Sequence, residues 1–485
     1  MNIKEQWRHH VFYEDKRKLK ILDTLTVTEK DVDTSNAVRI YLCGVTVYDE
    51  SHIGHARTII VFDTLRRYLE SKGIKVNLVQ NFTDVDDKII NRANKENTSA
   101  EKISIRYITN YFNDFDKLNV KRADSYPKAT EHITDMINLI QGLIDKGFAY
   151  ISKNGVYFSV LKFKEYGKLS KKKIEELIAG ARVEVDETKN DPVDFALWKF
   201  ADDSPTWESP WGKGRPGWHI ECSAMSLKYL GSNFEIHGGG RDLIFPHHEN
   251  EIAQSESFAG INFAKIWMHV GMVTINGEKM SKSLGNTKSI DFVLNRWGPN
   301  IIRLFCLSGH YSKPIDYSED LLKETITKWR QVENCYFELA LADNSVSESE
   351  ELEKIKEIVS ESKMEFDNAL DSDFNTPLAL STFFKLVKSA NQLASLEKLT
   401  HSISDIILPT FHQMLSILGL NVIEVTDNEK NKISNLIEQR NMLRSQKKFQ
   451  EADVIRKQIS DMNIILIDHK NKTLWMKQEK IGIEN

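Results

Sequence analysis

Apolar positions change their period several times along this chain. Residues 38–47, VRIYLCGVTV, form a nearly unbroken apolar run and read as a buried strand followed by a turn. In residues 54–73, GHARTIIVFDTLRRYLESKG, Ile59, Phe62, Leu65 and Leu69 recur at helical spacing, and Gly73 stands where a C-cap belongs. Residues 75–82, KVNLVQNF, read as a strand again. Strand, crossover helix and strand make a βαβ unit and predict a parallel sheet. The stretch from roughly 90 to 210 is mixed and highly charged, with the run Lys171-Lys172-Lys173 and a turn-rich segment at 201–217, and it reads as an insertion. FEIH (234–237) and IWMHVGMVTI (266–275) are strand-like, so the sheet resumes after it. From about 318 to about 420, long helical patterns with few Gly or Pro dominate. A further helix is predicted over 431–462, with Ile433, Leu436, Ile437, Phe449, Ala452, Ile455 and Ile459 on its apolar stripe. Arg440, Arg444, Lys447, Lys448, Arg456 and Lys457 surround that stripe.

Composition narrows the class. A length of 485 residues suggests about three domains. The content of 41% hydrophobic and 28% charged residues is ordinary for a folded soluble protein. The first twenty residues have no apolar core of the kind a signal peptide needs, and no apolar run approaches the ~18 residues that span a bilayer. Four cysteines in a chain of this length do not make a disulfide framework. The expectation is a cytoplasmic protein without membrane contact, whose reduced thiols are free to ligate metal. A net charge of -5 advertises no global basic field, although a local basic stripe suffices for phosphate contact.

Two stretches suggest phosphate chemistry. His52-Ile53-Gly54-His55 lies between the first strand and its crossover helix, where backbone N–H groups attract anions and Gly54 lets a phosphate approach closely. Alone, this string reads equally well as a polar turn. Lys279-Met280-Ser281-Lys282-Ser283 follows a strand and makes a cationic loop able to neutralise a departing pyrophosphate, or else a solvated basic turn. Together, in this order and each after a strand, the two are stronger than either alone. A third stretch, FPHHENE (245–251), packs titratable groups behind an apolar approach. Residues four apart on a helix share a face, so His247 and Glu251 can reach one ion. Cys43 and Cys222 are candidate partners, and a Cys, Cys, His, Glu set suits tetrahedral Zn²⁺. Scattered cysteines are as often small buried hydrophobes.

The His-Ile-Gly-His and Lys-Met-Ser-Lys-Ser strings resemble those of the class I aminoacyl-tRNA synthetases. YLCGVTVYD (41–49), NFTDVDDKI (81–89), GWHIECSAM (217–225) and IHGGGRDLIFPHHENEIAQSE (236–256) look closely similar to the cysteinyl-tRNA synthetases. The resemblance implies an α/β fold: a Rossmann-like doubly wound parallel sheet with an inserted connective domain, then a helical-bundle anticodon-side domain and a small C-terminal domain. The implied division is 1–115 and 211–320 for the two catalytic halves, 116–210 for the connective insertion, 321–424 for the bundle and 425–485 for the anticodon-binding end. It also implies ATP held by His52, Gly54, His55 and Lys282, catalysis by His52, His55, Lys279 and Lys282, and Mg²⁺ accompanying ATP. One Zn²⁺ per chain would sit on Cys43, Cys222, His247 and Glu251, and the choice of His247 over His248 rests on this match. Thr83, Trp218 and His237 would line the cysteine pocket, though Trp218 reads equally as a core aromatic. Asp242, after three glycines that alone are a weak phosphate-loop signal, would bind the ammonium or a ribose hydroxyl.

The physical logic of such a zinc is selection. A hydrophobic pocket separates near-isosteres by only ~1–3 kcal/mol, whereas a thiolate–zinc bond separates cysteine from serine. The implied partners are ATP, L-cysteine and tRNA(Cys), the chain acting as a monomer. DSDFNTPLAL (371–380) resembles the anticodon-side domain and equally suits a plain helix start with Pro377 early in it. Ser51 and Thr473-Leu474 before Trp475 depart from the family pattern. A cysteine:amino-sugar ligase of the same fold is the alternative, and the ~165 residues after 320 argue against it. A synthetase-derived RNA-binding protein with a dead site is a third reading, opposed by the intact motifs.

Overall fold

The structure is a computed structural model that describes residues 18–174, 176, 188–280, 285–342, 348–423, 426–468, 473–477 and 481–482. A hairpin, β1 (Lys20–Asp23) and β2 (Thr28–Asp31), precedes the βαβ unit. That unit is β3 (Val38–Thr46), α1 (Ile53–Ser71) and β4 (Val76–Thr83), close to the predicted bounds. Ile59, Phe62, Leu65 and Leu69 are all buried, as their spacing requires. The helices α2 (Asp87–Lys95), α3 (Ala100–Lys117) and α4 (Ile133–Asp145) then lead into an antiparallel sheet. Its strands are β5 (Ala149–Ser152), β6 (Gly155–Phe158), β7 (Phe195–Phe200) and β8 (Gly214–Pro216), and it has its own core around Phe158, Leu197 and Trp198. Three of its strands lie within the 116–210 expected for the insertion, and the fourth, β8, lies beyond that bound.

The chain returns through α5 (Trp218–Leu230), β9 (Phe234–Gly240), α6 (Glu249–Ala259) and β10 (Ala264–Val270). The strands β10, β9, β3 and β4 form, in that order, an all-parallel sheet. Its two faces explain the unbroken apolar run. Ile40, Leu42, Leu78, Ile236 and Met268 pack on the α1 side, while Tyr41, Cys43, Val79 and Trp267 pack with Cys222 of α5 and Ile252 of α6. A strand covered on both faces has no polar alternation to show. The row Tyr41, His237 and Trp267 runs across three adjacent strands by register, which carries chemistry to the α5–α6 face.

The single strand predicted over 266–275 is two elements. β10 ends at Val270, and β11 (Val273–Ile275) belongs to a separate sheet with β12 (Glu278–Lys279) and β13 (Ile315–Tyr317). Gly271 makes the break, because a Cβ there would lie 2.2 Å from the Lys313 carbonyl oxygen. The helices α7 (Ile290–Trp297) and α8 (Pro299–Ser308) follow. The bundle comprises α9 (Glu319–Ala340), α10 (Ser349–Asp371), α11 (Thr376–Ser395) and α12 (His401–Leu418). The helix predicted over 431–462 is also two, α13 (Asp427–Ser445) and α14 (Phe449–Asp461), with Lys447 between them at φ 63. A hairpin of β14 (Ile464–Asp468) and β15 (Thr473–Lys477) packs on this pair. Among the described residues, no helix is long and apolar enough to cross a membrane.

Candidate metal centre and nucleotide cleft

Cys43 of β3, Cys222 of α5, His247 and Glu251 come together at the face between the parallel sheet and the α5–α6 pair. One donor atom from each lies within 4.8 Å of the others, and all four residues are buried. His247 Nε2 is 3.0 Å from Glu251 Oε1, and Cys43 Sγ lies 3.4 Å from the same oxygen. His247 reaches this position because the chain kinks at Phe245, whose backbone is extended at φ -139 and ψ 132, just before α6 begins. A second set of the same size, Cys43, His237, His248 and Glu251, shares two of the donors. Burying two thiols, an imidazole and a carboxylate together is costly unless something satisfies them, and soft thiolates with imidazole suit zinc. The Tyr41 hydroxyl, Asn81 Nδ2 and His237 Nδ1 are also buried, with no hydrogen-bond partner among the described residues. The donor set therefore fits a metal ion.

Electrostatics favour the ligating forms in part. Burial opposes ionisation of Glu251, yet His237 and His247 hold it well below the carboxylate range. The hydrogen bond with Cys43 lowers the Cys222 thiol, while burial pushes the Cys43 thiol up. Burial works against charge on His247, but Glu251 and Cys222 raise its imidazole above the ordinary value.

Around the donors stands a shell of histidines. His237 Nε2 is 2.9 Å from Glu251 Oε2, and the His237 ring stacks on Trp267 at 4.3 Å. His248 Nε2 is 3.3 Å from Cys43 Sγ, its Nδ1 is 2.7 Å from His269 Nε2, and His269 Nδ1 is 2.9 Å from Thr24 Oγ1. His219 Nδ1 is 3.0 Å from His247 Nδ1. No sequence motif marks His219 or His269. The only signal was proximity in the chain, since His219 sits three residues before Cys222 on one helix face.

Trp218 is 38% exposed and stacks on His247 with ring centroids 4.2 Å apart, so it walls the centre and is not a core aromatic. Thr83 is buried at the end of β4, with Oγ1 donating to Glu221 Oε2 at 2.8 Å. Burial pushes the Glu221 carboxyl well above its usual range. Gly238–Gly240 are not a phosphate loop. They lie in β9, where a Cβ would meet the Phe62 ring at 2.1 Å, His248 at 2.9 Å and Asp242 Oδ1 at 2.5 Å respectively. Asp242 itself is exposed in the turn Arg241–Leu243. Glu249, which could have been solvated, is fully buried and accepts backbone N–H groups from Gly167 at 2.9 Å and Ser170 at 2.7 Å.

His52 is the N-cap of α1 and forms a capping box with His55, the two rings stacked 3.6 Å apart. Beside it opens a cleft of about 320 Å³ lined by Asp49, Glu50, His52, Thr287, Lys288, Ser289 and Phe292. His52 pairs with Ser289 in a backbone bridge, and a Cβ on Gly54 would lie 3.3 Å from the Met280 methyl. The first string and the start of the second are thus neighbours in space. Lys282 and the rest of that loop lie outside the described residues, as does the side chain of Lys279. At the far end, Arg440 is buried and pairs with Asp468 at 2.6 Å, and Trp475 is buried against Phe337. Lys447, Lys448, Arg456 and Lys457 remain exposed.

Comparisons with known proteins bear on these features. Residues 29–327 match the family described as "tRNA synthetases class I (C) catalytic domain", and residues 365–422 match a "DALR domain". The chain is 47% identical to the cysteine–tRNA ligase of Thermodesulfovibrio yellowstonii, covering 94% of this chain and 99% of that protein. It is 46% identical to the cysteine–tRNA ligase of Aquifex aeolicus, covering 95% and 99%. Among solved structures, a Mycobacterium tuberculosis methionyl-tRNA synthetase with methionyl-adenylate superposes with a TM-score of 0.59 at 15% identity, over 79% of this chain and 89% of its own. A ternary complex of an Agrobacterium radiobacter K84 LeuRS with tRNA and LeuAMS gives 0.60 at 10% identity, over 80% and 85%. At such identities the structural likeness concerns the fold.

Proposed function

This chain belongs to the cysteine–tRNA ligases, within the class I aminoacyl-tRNA synthetases, and from that premise we propose how its residues divide the reaction. The enzyme activates L-cysteine with ATP to cysteinyl-adenylate and pyrophosphate. It then transfers cysteine to the 3′-terminal adenosine of tRNA(Cys).

Cys43, Cys222, His247 and Glu251 would hold one zinc ion, which supplies a soft Lewis-acid site that takes a thiolate in preference to a hydroxyl. Trp218 and Thr83 wall the cysteine side chain, and His237 holds Glu251 in place through its Nε2 contact. Asp242, exposed at the mouth of β9, takes the ammonium or a ribose hydroxyl. The substrate carboxylate attacks the α-phosphorus of ATP in line, the new P–O bond forming as the bond to pyrophosphate breaks. Gly54 admits the triphosphate to the start of α1, and His52 and His55 donate to its oxygens. Lys279 and Lys282 neutralise charge on the departing pyrophosphate, and Mg²⁺ travels with ATP. The ribose hydroxyl of tRNA then attacks the adenylate carbonyl without an enzyme nucleophile, the ester bond forming as the anhydride bond breaks and AMP leaves with the hydroxyl proton lost to solvent. The chain works as a monomer in the cytoplasm, with its exposed C-terminal basic residues turned to RNA phosphates.

The convergence of two cysteines, His247 and Glu251 on one buried point carries the substrate assignment. Elemental analysis of the purified protein, followed by ATP–pyrophosphate exchange with cysteine and cysteine transfer to tRNA, tests it. Zinc-dependent exchange and transfer are expected. Exchange without transfer would point instead to the amino-sugar ligase.

A further inference from the structure

His247 presents its two ring nitrogens to different surroundings. Nε2 faces the donor cluster, 3.0 Å from Glu251 Oε1, while Nδ1 points away and lies 3.0 Å from Nδ1 of His219. Two imidazole nitrogens at that distance need one proton between them, so one donates and the other accepts. A nitrogen that ligates a metal carries no proton. With Nε2 turned to the metal, the proton sits on Nδ1 of His247, and His219 is the acceptor in its Nε2–H form.

We propose that His219 is a positioning residue that fixes the tautomer and tilt of the metal ligand His247. The inference rests on the metal reading above. Trp218 and His219, adjacent in α5, hold the same ring from two sides, Trp218 by its face at 4.2 Å and His219 by its edge. His219 is itself steadied by an edge-on contact with Phe195, centroids 5.7 Å apart and planes at 83°. The identity of the acceptor matters. Ligating histidines usually donate their second N–H to a carboxylate, a carbonyl or water. Here the acceptor is a neutral ring. Two thiolates and a carboxylate already outweigh a divalent ion by one charge, and the substrate sulfur adds another. A carboxylate behind His247 would place a further negative charge beside that anionic sulfur. A neutral imidazole orients the ligand without it, so His219 also bears on how readily the centre accepts a thiolate.

The test compares three variants of the full-length enzyme with wild type. His219→Phe keeps a ring against Phe195 and removes the acceptor, His219→Asn restores an acceptor at the Nδ1 position, and His219→Asp adds charge. Zinc affinity is read by chelator competition, and the cobalt-substituted proteins are compared by visible absorption. Kinetics supply KM for cysteine and for ATP. His219→Phe should bind zinc about 10–100-fold more weakly, with an altered cobalt spectrum and a raised KM for cysteine but not for ATP. His219→Asn should recover zinc affinity to within about threefold of wild type, and His219→Asp should hold zinc yet bind cysteine about tenfold more weakly. Wild-type zinc affinity in His219→Phe, or no recovery in His219→Asn, would overturn the proposal while leaving the metal reading intact. A wild-type protein that holds no zinc would overturn both.

Discussion

At the residue scale, the candidate metal centre is assembled by two short-range spacings. Tyr41 and Cys43, two apart on β3, face α5 and α6, which puts Cys43 beside Cys222, and an interval of four puts Glu251 under His247. Removing one donor should therefore remove the ion. Cys222→Ser is expected to leave the fold intact, to lose most of its zinc by elemental analysis and to raise the KM for cysteine at least tenfold. Stoichiometric zinc in that variant would show the second set, with His237 and His248, to be the true cage. A different kind of residue effect is expected at Asp114. Its side chain is buried in α3, and burial first, then Glu50 and Asp291, push its carboxyl up to about 6. Because the folded pKa lies above the ordinary 3.8, the ionised form costs stability at neutral pH. That cost disappears as pH falls below the unfolded value. Asp114→Asn should accordingly raise the thermal midpoint by ~1–3 °C at pH 7.5 and change nothing at pH 3.5. An equal gain at both pH values would count against the assigned cause.

At the scale of elements, the start of α1 joins the two signature strings. A Cβ on Gly54 would stand 3.0 Å from His52 Nδ1 and 3.3 Å from the Met280 methyl, so Gly54→Ala must displace one of them. Adenylate formation should slow by about tenfold or more with cysteine affinity nearly unchanged, as single-turnover and equilibrium binding measurements would show. Elements of this kind were legible in the sequence because local signals agreed. The run 38–47 and the stripe Ile59, Phe62, Leu65 and Leu69 place β3 and α1 within a residue or two of where they lie. Two other elements were misjudged for lack of such a signal. The break between α13 and α14 falls at Lys447, a left-handed lysine among polar residues, where neither Gly nor Asn warns of a turn. The apolar run across Gly271 hides the passage from one sheet to another, because both sheets bury their strands there. The donors of the centre were legible only as residue types at suggestive spacing. Their convergence depends on long-range contacts, and the supporting shell joins His219 of α5, His248 at the start of α6 and His269 of β10, elements that no local pattern brings together.

At the scale of the whole molecule, the catalytic sheet and the helical bundle are locked by buried polar groups. Arg303 of α8, fully buried, donates to Leu418 O at 2.9 Å, to Leu118 O at 3.1 Å and to Asp63 Oδ2 at 2.7 Å, tying α1 and the end of α3 to the end of α12. Arg303→Met should destabilise the protein by about 3 kcal/mol in denaturant unfolding, since it strips a donor from buried carbonyls and leaves Asp63 with Arg67 as its charged partner and the Lys121 N–H on its other oxygen. A second joint involves the DSDFNTP segment, which does more than open a helix. Asp373 Oδ1 accepts from Tyr311 Oη at 2.6 Å and from Leu22 N at 2.8 Å, and its backbone is left-handed at φ 50. The neighbouring Tyr68 Oη, on α1, donates to Asp371 Oδ1 at 2.6 Å. Contacts between the bundle helices and the α1 side of the parallel sheet therefore pass in part through these carboxylates. Cysteine activation needs only the catalytic half, whereas transfer needs the tRNA end placed to within about an ångström. Asp373→Ala should then leave ATP–pyrophosphate exchange within about threefold of wild type and lower tRNA charging by about tenfold or more. Asp373→Asn, which tolerates the left-handed backbone and keeps an acceptor, should restore charging. If exchange and charging fall together, the joint supports the catalytic half itself, and its part in aligning the bound RNA must be given up.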